Sequence, residues 1–128
     1  MSRESGFGFW GALIGTLLCA ALPVLAQKPA DAKAEAKPTV IKAGKMFEKC
    51  LAVTSAQKLE YQFTTTKPVN FNIHFHVGDS VYYPVKRNKT TGEADRFQPT
   101  KAKEDYCLMW ENKTSEDIDL TWSAKVVK

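Results

Sequence analysis

Beyond residue 46, apolar side chains recur at every second position, which is the period of a β-strand with one buried face. The clearest run covers residues 69–77, where five apolar side chains alternate with two asparagines and two histidines. Residues 59–64 and 118–126 alternate in the same way. Residues 106–110 are apolar at every position, which is typical of a central strand. No segment beyond residue 46 has the period of a helix, so the pattern predicts an all-β domain.

Turn-forming residues separate the predicted strands. Gly78-Asp79-Ser80 predicts a tight turn after the longest strand, and residues 111–115 predict another before the last one. Residues 65–68 and Pro84 predict strand ends, and the polar stretch 86–96 predicts a loop. Short strands joined by turn-rich loops indicate an antiparallel β-sandwich of the jelly-roll type. Large aromatic residues on the alternating faces supply the predicted core: Phe71, Phe75, Trp110 and Trp122.

Residues 1–26 have the composition of a secretory signal peptide. No charged side chain lies between Glu4 and Lys28, and the apolar run ends in small residues up to Ala26, before Gln27. We therefore expect a periplasmic or secreted protein. An uncleaved membrane anchor is the alternative, because the apolar run approaches the ~20 residues that span a bilayer.

The next segment, residues 27–45, is rich in alanine, lysine and proline and contains no aromatic residue. This composition predicts a flexible linker ahead of a domain at residues 46–128. The segment holds five lysines and two acidic residues, so it accounts for most of the net charge of +4. Because the domain is nearly neutral, we do not expect nucleic acid as a partner. Weak contact of the Lys-rich linker with a membrane surface is the more modest expectation.

Removal of the signal segment leaves two cysteines, Cys50 and Cys107. An even number of cysteines in a small exported domain predicts a disulfide. The two positions are 57 residues apart, and closing a loop of that length stabilises the folded state by about 4 kcal/mol. Two buried free thiols are the alternative.

His74 and His76 are the residues of most chemical interest. On a strand their side chains share a face, about 7 Å apart at the backbone, and could contribute to a Cu²⁺ or Zn²⁺ site. Further ligands would have to come from other strands, and Glu60, Asp79 and Met109 are candidates. A solvated polar face that binds no cofactor is the simpler interpretation.

The sequence contains little else that suggests chemistry. It has no nucleophile elbow and no glycine-rich phosphate loop, so we expect a protein that is not an enzyme. A copper site through Cys107 and Met109 is disfavoured, because both residues fit the core and a disulfide would consume the thiolate.

Tyr82 and Tyr83 stand next to each other near the end of the predicted hairpin. Adjacent strand residues point to opposite faces, so we expect one of the two to be exposed. An exposed tyrosine at this place is a candidate contact for a protein or polysaccharide partner. Shielding of a sheet edge is the alternative role.

Residues 46–128 resemble the GOLD domain, the β-sandwich of the lumenal part of p24/emp24 cargo receptors. The strand and turn at residues 106–115 carry most of the likeness, and the hairpin at residues 69–83 corresponds to the central hairpin of that family. Cys50 matches the first cysteine of p24 members, whereas Cys107 lies two residues before the second. The resemblance implies a non-catalytic interaction module. Together with the export segment it predicts a binding module of the cell envelope, whose partner is an envelope protein or polymer. A periplasmic Cu- or Zn-binding protein that uses the histidine pair is the alternative.

Overall fold

The computed structural model describes residues 35–128, and within this range the regular structure consists of strands alone. No helix in residues 35–128 is long and apolar enough to cross a membrane. The predicted signal peptide and the first part of the predicted linker lie outside the described residues. The six strands are β1 (Lys37–Ile41), β2 (Met46–Thr54), β3 (Lys58–Val77), β4 (Ser80–Phe97), β5 (Lys103–Glu111) and β6 (Ile118–Val127).

All strand pairs are antiparallel and belong to one sheet that is organised around the long strand β3. The strand β4 runs along one edge of β3 over nearly its whole length. On the other edge, β6 pairs with the first half of β3 and β5 pairs with the second half. The outer strands β1 and β2 then add to β6 and β5, respectively. The predicted all-β antiparallel fold is confirmed.

The sheet curls along β3, so that side chains from its two halves meet in one core. Phe63 from the first half of β3 lies 4.6 Å from Phe71 in the second half, measured between ring centroids. Trp110 on β5 and Trp122 on β6 are 5.7 Å apart, and Phe47 on β2 contacts both. The predicted two layers are therefore two halves of one curled sheet. Of the eight inward residues of β3 that the alternation identified, Phe75 is only partly buried and Val77 is 47% exposed. The other six are buried: Leu59, Tyr61, Phe63, Val69, Phe71 and Ile73.

The predicted break at residues 65–68 is wrong, because β3 continues through it. Its pairing with β4, however, shifts register between Thr64 and Val69. Pro68 has no N–H to donate to a ladder, and the shift accommodates it on the strand. Gly92 lies opposite Thr64, where an added Cβ would come within 2.9 Å of the carbonyl oxygen of Phe63. This close approach of the two strands requires glycine.

The predicted loop at residues 86–96 is also wrong, since these residues form most of β4. Pro84 does not end the strand but lies at another register shift, between the pairs Ile73–Val85 and Phe75–Tyr82. Among the described strands β4 pairs only with β3, so it is an edge strand with few buried side chains. A polar sequence and a proline are both tolerated on an edge.

The linker prediction is wrong for its last part, because β1 lies within it. This strand pairs with β6 from Lys37 to Ile41, and the side chain of Ile41 is only 2% exposed. A turn at Gly44, which has a φ of 71°, then leads into β2. One buried side chain in a five-residue strand gives too weak a pattern to identify the strand from the sequence.

Candidate functional site

The predicted disulfide is confirmed and joins β2 to β5. Cys50 and Cys107 are bonded and occupy directly opposite positions of the antiparallel pair. On its other side Cys107 is opposite His74 of β3. Opposite residues of paired strands share a face of the sheet. The three side chains therefore form one row across β2, β5 and β3.

A second row lies two residues away on the same face. Met109 is opposite Glu48 on one side and opposite Asn72 on the other. We call the surface formed by these two rows the outer face, because it is the side of the sheet away from the aromatic core. Its residues are Glu48, Cys50, Asn72, His74, Cys107 and Met109.

Cys107 and Met109 are buried as expected, but they lie on the side of the sheet away from the aromatic core. Tyr106, Leu108 and Trp110 belong to the core cluster, and the two sulfur-containing residues alternate with them on the outer face. Both are nevertheless buried, because β5 has a neighbouring strand on each side that shields its side chains. The predicted central position of β5 is confirmed.

His74 is held in one orientation on the outer face. Only 4% of the residue is exposed, and its Nδ1 donates a hydrogen bond to Oδ1 of Asn72 over 2.8 Å. Burial lowers the pKa of the imidazole below its usual value; the Glu48 carboxylate opposes this effect and His76 adds to it. A neutral imidazole with Nδ1 protonated carries its lone pair on Nε2. His74 thus presents a ligand atom to the outer face.

Glu48 is the residue of this site that the sequence analysis missed. Its Oε1 lies 3.6 Å from Nε2 of His74 and 3.3 Å from Sγ of Cys50. Ligand atoms of Glu48, His74 and Cys107 all lie within 4.8 Å of one another. The sequence contained one signal that could have identified Glu48. It lies two residues before Cys50, so the two side chains share a face of the strand.

The two histidines of the predicted pair are close together, but their side chains lie in different environments. The rings of His74 and His76 are 5.2 Å apart and nearly perpendicular, and His76 is exposed. Of the additional ligands considered, only Met109 belongs to the outer face. Glu60 instead forms salt bridges with Arg96 and Lys125, and Asp79 lies in the exposed turn. Neither carboxylate belongs to the outer face.

The end of the β3–β4 hairpin forms a second feature. An exposed tyrosine was expected here, and both Tyr82 and Tyr83 are about half exposed. Tyr82 stacks on Phe75 with the ring centroids 5.3 Å apart, whereas Tyr83 lies 5.7 Å from His74. The pairing of β5 with β3 ends at His74, so beyond it no third strand of the part of the chain that the structure describes pairs with the hairpin.

The predicted tight turn at the end of this hairpin is confirmed, with Gly78 and Asp79 as its two central residues and Ser80 already in β4. Val77 pairs with Ser80, and Gly78 has a φ of 58°. A glycine with positive φ at the first central position is typical of a tight hairpin turn. We call the exposed apolar residues on either side of the turn the aromatic tip: Val77, Val81, Tyr82 and Tyr83.

Comparison with known proteins gives little further information. Neither a protein-family model nor a curated protein matches this sequence. Among solved structures, the chain is similar to a de novo designed double-stranded beta-helix determined by solution NMR. The identity is 13% and the TM-score 0.43, with 72% of this chain and 100% of the designed chain covered.

Proposed function

We propose that the protein is an exported, non-catalytic binding module of the cell envelope, with a GOLD-like β-sandwich that contacts its partner through the aromatic tip. The observation that carries the proposal is the exposure of four neighbouring apolar side chains at one hairpin end. They are 47%, 38%, 51% and 49% exposed at Val77, Val81, Tyr82 and Tyr83, respectively. Exposed apolar side chains that cluster at one hairpin end are typical of an interaction surface.

The composition of the aromatic tip supports this function. Tyrosine is enriched at protein interfaces, because its ring gives a large contact area and its hydroxyl stays hydrogen-bonded. The other large apolar side chains that are exposed in residues 35–128, Val40 and Met46, lie on β1 and β2, not on the hairpin. They provide a matched control for the tip.

Two lysines indicate what kind of partner fits. The Nζ of Lys86 lies 5.5 Å from the ring centre of Tyr83, and that of Lys101 lies 6.0 Å from the ring centre of Phe75. Aromatic rings flanked by ammonium groups suit a partner that presents apolar groups next to carboxylates or other anions. An envelope protein or an anionic envelope polymer has this chemistry.

The experiment replaces Tyr82 by a photoactivatable phenylalanine and compares crosslinking in intact cells. We expect a discrete crosslinked product that is lost when Tyr83→Ser and Val77→Ser are added and that persists when Val40→Ser and Met46→Ser are added instead. A product that is equally abundant in both combinations, or the lack of any product, would contradict the proposal.

We infer as a second candidate that the oxidised protein binds Cu²⁺ or Zn²⁺ through His74 and His76. The specific observation in favour is the 5.2 Å separation of the two rings, one of which is buried and neutral. Titration of each ion into the isolated protein should show saturable binding that His76→Ala weakens at least tenfold. Equal binding by the wild type and this variant would rule out the pair as the site.

A further inference from the structure

The outer face contains more potential metal ligands than the oxidised protein can use. Two of them, the sulfurs of Cys50 and Cys107, are bonded to each other, and a disulfide sulfur is a poor ligand compared with a thiolate. We propose that reduction of this disulfide creates a binding site for a thiophilic divalent cation such as Zn²⁺. Its ligands are Cys50, Cys107, His74 and Glu48. This site shares His74 with the histidine pair but does not use His76, and it includes no residue of the aromatic tip.

The distances on the outer face fit a tetrahedral ion. Zinc binds sulfur at about 2.3 Å and nitrogen or oxygen at about 2.0–2.2 Å, so neighbouring ligand atoms of a tetrahedral site are about 3.3–3.8 Å apart. The distances of 3.3 Å from Glu48 Oε1 to Cys50 Sγ and 3.6 Å from Glu48 Oε1 to His74 Nε2 fall in this range. Cys107 Sγ belongs to the same group. Two thiolates, an imidazole and a carboxylate therefore need only small side-chain movements to surround an ion.

The ring of His74 already has the tautomer and the orientation that a metal ligand needs. Metal-binding histidines usually donate their second ring N–H to an oxygen that fixes the tautomer and the ring orientation. Asn72 provides this oxygen at 2.8 Å. The ligand nitrogen Nε2 faces Glu48, so no rotation of the ring is required.

A dithiol reductant would open the site by thiol–disulfide exchange. A thiolate of the reductant attacks Sγ of Cys50, which is exposed, and Cys107 leaves as a thiolate. The second thiol of the reductant then displaces Cys50, and the reductant departs as a disulfide. The reductant thus loses two electrons and the protein disulfide gains them. The two cysteine thiolates take up the two protons that the reductant thiols lose, and they release them to solvent when the ion binds.

Two thiolates should raise the affinity for Zn²⁺ by more than about 100-fold over the oxidised protein, whose outer face offers one imidazole and one carboxylate as strong ligands. The experiment measures the competition of the isolated protein with a chromophoric chelator for Zn²⁺, before and after reduction with a phosphine. Co²⁺ is added as a spectroscopic probe, because thiolate ligation gives an intense charge-transfer band in the near ultraviolet. We expect one ion per chain and this band in the reduced protein only.

Two variants show whether the outer face is the site. Cys50→Ser/Cys107→Ser lacks the disulfide and the thiolates, and it should bind Zn²⁺ no more tightly under reducing conditions than under oxidising ones. His74→Asn should lower the affinity of the reduced protein at least tenfold. Reduced wild-type protein that binds no more tightly than the serine variant would overturn the proposal. Binding that His74→Asn leaves unchanged would also overturn it, because two cysteines alone would then hold the ion.

The same measurements separate this site from the histidine pair and from effects of unfolding. His76→Ala should leave the affinity of the reduced protein unchanged, even where it abolishes binding of ions by the oxidised protein. If reduction loosens the fold, Zn²⁺ should restore a cooperative thermal transition to the wild type and not to the serine variant. If Zn²⁺ does not raise the midpoint of thermal unfolding of the reduced wild-type protein, the proposal is contradicted, just as it is if no binding is found.

Discussion

One buried side chain, Asn112, links the end of β1 to the loop that precedes β6. Its Nδ2 lies within hydrogen-bond distance of the carbonyl oxygens of Ile41, Lys42 and Glu116. Its Oδ1 accepts hydrogen bonds from the N–H and the hydroxyl of Thr114. Few other single side chains could satisfy both sets of backbone groups at once.

We predict that Asn112→Ala lowers the free energy of unfolding by about 2–4 kcal/mol, because it leaves buried carbonyl and N–H groups without partners. Urea denaturation followed by tryptophan fluorescence measures the change. Asn88→Ala, at an exposed position of β4, is the control and should change stability by less than about 0.5 kcal/mol. Similar values for the two variants would refute this role of Asn112.

Asp117 is an exposed residue whose ionised form is favoured by the fold. The ammonium group of Lys42 and the backbone N–H of Ala43 each donate a hydrogen bond to its carboxylate, and these bonds lower its pKa below the usual value. The unfolded chain therefore binds a proton at Asp117 more readily than the folded protein does. The stabilisation is complete above the unfolded pKa and is lost as the pH falls through the folded one.

We predict that Asp117→Asn lowers the thermal unfolding midpoint near neutral pH and has progressively less effect between about pH 5 and pH 2. Calorimetric scans of both proteins across this range measure the difference. A difference between the two midpoints that stays constant with pH would show that the charge of Asp117 does not stabilise the folded protein.

The sequence predicted residues of this region where one strand contained the information, or where the number of cysteines indicated a pair. His74 and His76 share a strand, so their common face follows from the period of two. The contribution of Glu48 depends on the register between β2 and β5, and that of Asn112 depends on where distant carbonyl groups lie. Neither is encoded in local periodicity, so both required the structure.

At the scale of the element, β1 shows that part of the predicted linker is a strand that packs on the domain. Ile41 is 2% exposed in the core, whereas its neighbour Val40 is 53% exposed. The indole N–H of Trp122 also donates a hydrogen bond to the Thr39 hydroxyl of β1. Residues 37–41 therefore contribute to the stability of the domain.

We predict that Ile41→Ala costs about 2–4 kcal/mol of folding stability, the usual cost of removing a buried aliphatic side chain. Val40→Ala, one residue away on the exposed side, should cost less than about 0.5 kcal/mol. Chemical denaturation of the two variants provides the comparison. A negligible effect of Ile41→Ala would mean that this segment is a linker after all.

The strands differ in how well their sequences indicated them. The first half of β3 and all of β6 have one face on the core and one outside, so their alternation is clear. The strand β4 buries few side chains, and its polar sequence and proline are typical of a loop as well. What makes it a strand is hydrogen bonding to β3, a long-range interaction that leaves no periodic pattern.

At the scale of the whole molecule, the disulfide secures an outer strand that contributes to the core from the sheet edge. β2 pairs with β5 in the described sheet, and its Phe47 ring packs against both Trp110 and Trp122. These two tryptophans come from the two halves of the curled sheet. Keeping β2 in place therefore also holds the halves together.

We predict that Cys50→Ser/Cys107→Ser lowers the free energy of unfolding by about 4 kcal/mol, the value for a loop of 57 residues. Denaturation in the presence of a metal chelator measures the effect without any contribution from bound ions. A loss below about 1 kcal/mol would show that the packing of Phe47 holds β2 without the covalent bond.

The free side of β4 has a consequence for how copies of this protein behave when they are concentrated. Among residues 35–128 no strand pairs with this side of the 18-residue strand, and such an edge is a template on which a second chain could add. Its lysines, arginines and Pro84 oppose that growth, since like charges repel and proline interrupts the ladder. The polar residues that made this strand hard to predict from the sequence thus discourage fibrous assembly. Replacing them by typical β-strand residues would make the protein prone to aggregate.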